Sequence, residues 1–295
     1  MTSEPLITVG SSRRLAGSAH DAAGPLSIRD LTVSFGGVRA LSSVSADVPG
    51  GEISAIVGPN GAGKTTLLNA IGGLLGRAVH GLVTFDGSPI TRRSPTNLAR
   101  LGLARSFQEP RLIEQASALE NVLAGAYLHM GYSTLDQMVR PWRVKKGERG
   151  VRDQIVSLLT GIGLAHVRDE PVAGLPYGVR KLIDITRALA SAPRLLLLDE
   201  PTSGLDSSDR RTVEELLAGL RAERRVTVVV VEHHMDLVRR VADRAIGMAA
   251  GCAIASGTPT EVLDSKTFRA AVVGRPVDAG SSPAGKNEDA TWTGS

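Results

Sequence analysis

The segment Gly58-Pro-Asn-Gly-Ala-Gly63-Lys64-Thr65-Thr66 constrains this 295-residue chain more than any other. It matches G-x-x-x-x-G-K-[ST], a loop that wraps phosphate groups. Gly58, Gly61 and Gly63 admit the backbone conformations that turn successive N–H groups toward phosphate oxygens. The helix that must follow offers free N–H groups and the positive end of its dipole. Lys64 is placed to reach the β- and γ-phosphates of a nucleotide, and the Thr65 hydroxyl suits Mg²⁺. Such a loop needs a buried strand before it and a helix after it. The apolar run Ile-Ser-Ala-Ile-Val at 53–57 and the helical pattern over 65–75 supply both.

A second feature points to the same chemistry. The run Leu195-Leu-Leu-Leu198 ends in Asp199-Glu200, two carboxylates at the carboxyl end of an apolar strand. Ligands bind at that edge of an open α/β sheet. Asp199 is the candidate to hold Mg²⁺, directly or through water, and Glu200 to accept a proton from, or orient, an attacking water. An acidic pair alone is equally explained by a solvated strand end; the phosphate loop upstream favours the chemical reading.

The remaining pattern alternates. Strands are expected at 26–35, 41–48, 53–57 and 82–85, then helices from about Pro95, then strands again at 195–198 and 226–231 with a helix over 208–221 between them. Ser117-x-x-Glu120 reads as a capping box opening a helix over 118–129, and further helices are expected from 151 and over 182–190. Alternation of this kind implies a parallel sheet with right-handed crossovers. Residues 1–25 and 275–295 hold few aliphatic side chains and read as disordered tails, leaving a body of 26–274 with a helical insertion at about 95–190.

Composition narrows the function. No run approaches the ~18–20 apolar residues that cross a bilayer, and no secretory signal opens the chain. The single cysteine, Cys252, excludes an intrachain disulfide and fits a reducing compartment. A net charge of +4 and 3% aromatic residues give little support to nucleic acid as a partner. The basic surplus has a focus at 130–150, where Arg140, Arg143, Lys145, Lys146 and Arg149 face Asp136 and Glu148. That stretch is either a solvated loop or a contact for acidic lipid headgroups or a partner.

Taken together, these residues resemble the nucleotide-binding subunit of an ABC transporter over nearly all of 26–274. The resemblance implies a P-loop NTPase core of ABC ATPase type, α/β in class, with an antiparallel β part and an inserted helical subdomain. It implies that ATP and Mg²⁺ are bound. Phe35 sits where the family stacks an aromatic on adenine, though alone such a residue is more often core. Gln108, in Arg-Ser-Phe-Gln108, matches a glutamine that senses Mg²⁺ and water and faces the transmembrane partner. Asp206, in Ser203-Gly-Leu-Asp206, lies in a loop that joins two subunits, and His233 matches a histidine that contacts the γ-phosphate. His233-His234 could instead suggest a metal, but adjacent residues of an extended chain diverge and no third ligand is evident.

The family's signature, usually LSGGQ, is here Leu175-Pro176-Tyr177-Gly178-Val179. The resemblance implies that Gly178 approaches the γ-phosphate of ATP held by a second subunit. Pro176 replaces the serine, removing a hydroxyl and an N–H, yet proline is acceptable at a helix start. The contact to ATP is therefore expected to rest on backbone N–H groups. Similarity is strongest to branched-chain amino-acid uptake ATPases, in Ala104-Arg-Ser-Phe-Gln108, Ala118-Leu-Glu-Asn-Val122 and Glu232-His-His-Met-Asp-Leu-Val238. It implies an ATP-hydrolysing importer subunit, peripheral on the cytoplasmic face of the cell membrane. Its implied partners are permease subunits, a second ATP-binding subunit (itself or a sister) and a solute-binding protein. Rival readings are an exporter of lipid or lipopolysaccharide, a soluble ABC ATPase acting on ribosomes or DNA, and a nucleotide-binding regulator without turnover.

Overall fold

The structure, a computed structural model, describes residues 23–127 and 141–273, with backbone only for Tyr127 and 141–148. Most of both tails and residues 130–140 of the basic stretch lie outside it. Two sheets organise the rest. The first is antiparallel, in the order β2-β1-β4-β5: β1 (Leu26–Phe35), β2 (Val38–Val48), β4 (Val79–Phe85) and β5 (Ser88–Pro89). The second runs β10-β9-β3-β8-β7-β6: β3 (Ile53–Val57), β6 (Leu103–Arg105), β7 (Leu195–Asp199), β8 (Thr227–Val231), β9 (Arg244–Ala249) and β10 (Cys252–Gly257). All its neighbours are parallel except β9 and β10.

Residues of β3, β7 and β8 are buried throughout, as strands covered on both faces must be. Their side chains alternate between two cores. Ile53, Ala55, Leu196, Leu198, Val228 and Val230 face a core shared with helices. Ile56, Leu195, Leu197, Val229 and Val231 face a second core, shared with the antiparallel sheet and with helix α1 (Lys64–Ile71). Each such aliphatic side chain contributes about 1.5–3 kcal/mol by leaving water, so the two cores fix the sheet from both sides.

The helices are α1, α2 (Pro95–Arg100), α3 (Ala118–Tyr127), α4 (Pro141–Gly161), α5 (Tyr177–Ala190), α6 (Ser207–Glu223), α7 (Met235–Val241), α8 (Pro259–Asp264) and α9 (Lys266–Val272). The box opening α3 forms: Ser117 N–H donates to Glu120 Oε2 at 2.8 Å and Glu120 N–H to Ser117 Oγ at 3.2 Å. Several sequence expectations are corrected. Helix α1 stops at Ile71, short of residue 75, because Gly73 turns to φ +74, where a Cβ would lie 2.2 Å from the Arg93 carbonyl oxygen. The pattern after Pro95 is not helical throughout, since Leu103–Arg105 pairs in parallel with β7. Helix α5 starts at Tyr177, five residues before the expected 182. Residues 141–150 of the basic stretch belong to α4 rather than to a loop. At the N-terminal boundary, residues 23–25 are tied to the body: Thr227 Oγ1 donates to the Gly24 carbonyl and Asp86 N–H to that of Pro25.

Candidate active site

Strand order assembles the site. Along the run β3-β8-β7-β6 the carboxyl ends of four parallel strands stand side by side. From them emerge, in the same order, the phosphate loop, His233, the pair Asp199 and Glu200, and Gln108. Residues up to 175 positions apart in sequence thus share one edge of the sheet.

The loop takes the conformation its glycines permit. Gly58, Gly61 and Gly63 have φ of 154°, 78° and 95°. A Cβ on Gly58 would lie 2.2 Å from the Met248 carbonyl oxygen, and one on Gly63 2.7 Å from Leu41 Cδ2. Gly63 caps α1 without a side chain, so the first N–H groups of the helix stay open toward the loop. Lys64 folds back inside it, donating to the Gly58 and Pro59 carbonyls at 2.9 Å each. Burial lowers its pKa, against the opposing fields of Glu200 and Asp199. Pro59, Asn60 and Ala62 complete the loop, with Thr65 exposed and Thr66 half-buried at its helical end.

Asp199 is buried and pairs through Oδ2 with the Arg105 guanidinium at 3.1 Å. Its Oδ1 is buried with no hydrogen-bond partner among the described residues. Burial raises its pKa, with Arg105 opposing. A desolvated carboxylate oxygen without a donor is costly, and a carboxylate oxygen is the donor a hard cation takes.

Glu200 extends the ladder by one bond, its N–H donating to the Val231 carbonyl at 3.0 Å. It then turns to φ +48. That conformation costs a non-glycine residue about 1–2 kcal/mol and is the kind of strain that gathers at functional sites. Two predicted residues converge on its carboxylate: His233 Nε2 lies 2.5 Å from Oε1, and Gln108 Nε2 3.4 Å from Oε2. His234 diverges from His233, as the extended chain implies, toward Thr202 and Glu232.

Phe35 is 46% exposed at the end of β1, which removes the core reading and leaves an uncovered ring. Asp206 caps α6, accepting from Asp209 N–H at 2.8 Å, and that bond with the Ser208 hydroxyl holds its pKa down. Gly178 lies in the first turn of α5, whose N-cap, Pro176, makes no side-chain cap bond. A Cβ on Gly178 would fall 1.8 Å from Asp209 Oδ2, so any larger residue here displaces the Asp209 carboxylate.

Sequence reasoning missed a surrounding layer. Buried Glu232 accepts from Thr202 and from the His233 N–H, fixing the chain at the end of β8. Arg105 holds Asp199. Lys181, Tyr177 and Asp184 of α5 hold the backbone around Gln108. The available signals were adjacency to His233 and the Arg-Ser-Phe-Gln108 run; for Lys181 there was none.

Comparison with known proteins is in accord. The family model for ABC transporters matches residues 41–203. The chain is 32% identical over 249 residues to the high-affinity branched-chain amino acid transport ATP-binding protein BraF of Pseudomonas aeruginosa, covering 84% of this chain and 97% of that one. It is 28% identical, with the same coverage, to the corresponding protein LivG of Escherichia coli. Among solved structures it resembles a nucleotide-free ATP-binding cassette from an ABC transporter, with a TM-score of 0.72 and 30% identity over 85% of this chain and 100% of that chain. A cassette in its ADP conformation follows at 0.70 and 29%, over 85% and 99%. The α/β architecture read from the sequence is therefore that of an ABC ATPase, and the chain belongs to the ABC transporter family, as an ATP-binding subunit whose hydrolysis of ATP is coupled to transport.

Proposed function

We propose that this chain powers an importer of branched-chain or other hydrophobic amino acids. It would work from the cytoplasmic face of the cell membrane, docked on permease subunits that receive solute from a binding protein. The names of its relatives support the solute class. No helix among the described residues is long and apolar enough to cross a membrane, so coupling to transport requires such partners. Two ATP-binding subunits, identical or sister, would enclose two nucleotides. Each nucleotide would lie between the phosphate loop of one subunit and the Gly178 helix start of the other, with Asp206 in the joining loop and Phe35 against adenine.

The chemistry follows from the cluster on Glu200, the observation that carries this reading. Glu200 accepts the proton of the attacking water; His233 on Oε1 and Gln108 on Oε2 hold the carboxylate in one orientation. Lys64 and the loop N–H groups bind the β- and γ-phosphates. Thr65, Asp199 and Gln108 are the residues to hold Mg²⁺, which when bound neutralises charge on the phosphates. With nucleotide bound, His233 would turn its Nε2 from Glu200 to the γ-phosphate, leaving Gln108 to orient the carboxylate.

The deciding experiment is Glu200→Gln in the assembled transporter. It should bind ATP, turn it over at least about a hundredfold more slowly and accumulate a closed dimer; wild-type turnover refutes Glu200 as the base. Uptake of a panel of labelled amino acids by the reconstituted complex tests the solute, and outward movement would replace importer by exporter.

A further inference from the structure

Lys181 is fully buried on α5, between half-buried Arg180 and buried Leu182. It lies in the field of Asp184, Asp199, Glu200 and Glu232, yet its hydrogen bonds among the described residues go to no carboxylate. It donates instead to two backbone carbonyls, that of Phe107 at 3.1 Å and that of Gln108 at 2.5 Å. The Tyr177 hydroxyl donates to the same Gln108 carbonyl at 3.1 Å. Asp184, three residues further along α5, accepts from the Phe107 N–H at 3.1 Å and pairs with Arg187, which in turn donates to the Arg111 carbonyl. One face of α5 therefore grips the backbone of 107–111. Tyr177 is also packed at Gly204, where a Cβ would lie 3.0 Å from its ring.

A buried ammonium is costly unless it is well hydrogen-bonded. Retaining one here gives bonds that an apolar residue of the same length cannot make. One of its two acceptors is the carbonyl of Gln108, whose own side chain reaches Glu200. We propose that Lys181, assisted by Tyr177, is a positioning residue for hydrolysis: it anchors Gln108 so that the carboxamide reaches Glu200 Oε2. A shift of the first turn of α5, the turn that carries Gly178, would then be felt at Glu200 within the same subunit through a continuous chain of bonds: Lys181 and Tyr177 to the Gln108 carbonyl, Gln108 Nε2 to Glu200, Glu200 to His233. The inference rests on Glu200 and Gln108 being the hydrolytic site.

A double-mutant cycle tests it. In purified protein, Lys181→Met should leave the ATP dissociation constant within about twofold while kcat falls about tenfold to a hundredfold, the range that ångström-scale misplacement of a catalytic group commands. Lys181→Arg, which keeps the donors, should recover most of that loss. In a Gln108→Ala background Lys181→Met should add little further loss, because residues acting as one unit are not additive. The same loss in both backgrounds, or wild-type kcat in Lys181→Met, overturns the proposal. Should Lys181→Met fail to melt cooperatively, Tyr177→Phe takes its place in the cycle with the same criteria, since that ring is 43% exposed and its hydroxyl can be removed without opening the core. Failure of the anchor leaves the Glu200→Gln result intact, so the two readings fail separately.

Discussion

Two helix starts in this chain are proposed to meet phosphate, and they are built in opposite ways. Helix α1 begins from a loop that completes itself: Gly63 turns the chain at φ +95, and Lys64 satisfies the Gly58 and Pro59 carbonyls six and five residues before it. Helix α5 begins after Pro176 with no capping side chain and is completed from outside, by Asp209 against Gly178, Gly204 under Tyr177 and the Gln108 carbonyl above it. The first is preorganised by local sequence. The second is an assembly of distant segments and inherits whatever position they take. A cation stands at the first start and a carboxylate beside the second, so charge draws phosphate to the first, whereas at the second the helix N–H groups and dipole would act against a like charge.

The largest test of this contrast is Lys64→Met. Removing the charge from the self-contained start should reduce turnover at least about a hundredfold, as loss of one preorganised donor does elsewhere, and should weaken ATP binding, read by titration of the isolated subunit. Next in size is Gly178→Ala, which should lower stability by no more than about 1.5 kcal/mol, the cost of moving the Asp209 carboxylate off its present rotamer. Melting should show most of that loss recovered in Gly178→Ala/Asp209→Ala; no recovery would mean that the second start does not depend on its neighbour. The smallest effect is expected from Pro176→Ser. If backbone N–H groups carry the contact across subunits, adding a hydroxyl should change turnover by less than about tenfold, or about 1.4 kcal/mol. A hundredfold gain in a steady-state assay would show that the missing hydroxyl limits the rate.

The same contrast explains what was legible in the sequence. The phosphate loop is contiguous, so spacing alone exposes it, and β3, β7 and β8 are apolar but for Ser54, Asp199 and Thr227 because both faces are buried. Strand β6 escaped because only three residues pair, on one edge of the sheet. Strand β9 escaped because Arg-Ala-Ile-Gly-Met-Ala is rich in small residues; a Cβ on Gly247 would lie 3.0 Å from the Phe268 ring, so packing from α9 and not β propensity sets its composition. Lys181 follows Arg180 and reads as surface, because the carbonyls that bury it lie 74 and 73 residues away in sequence. Glu232 was hidden by adjacency: attention falls on the histidines, whereas the carboxylate before them holds the turn.

Gly178 carries a consequence for how such motifs are read. A Cβ there would lie 1.8 Å from Asp209 Oδ2, the free end of a side chain that can swing to another rotamer. The junction within one subunit therefore tolerates alanine at the cost of moving one carboxylate, and a glycine kept at this position speaks first for the surface that the helix start presents outward.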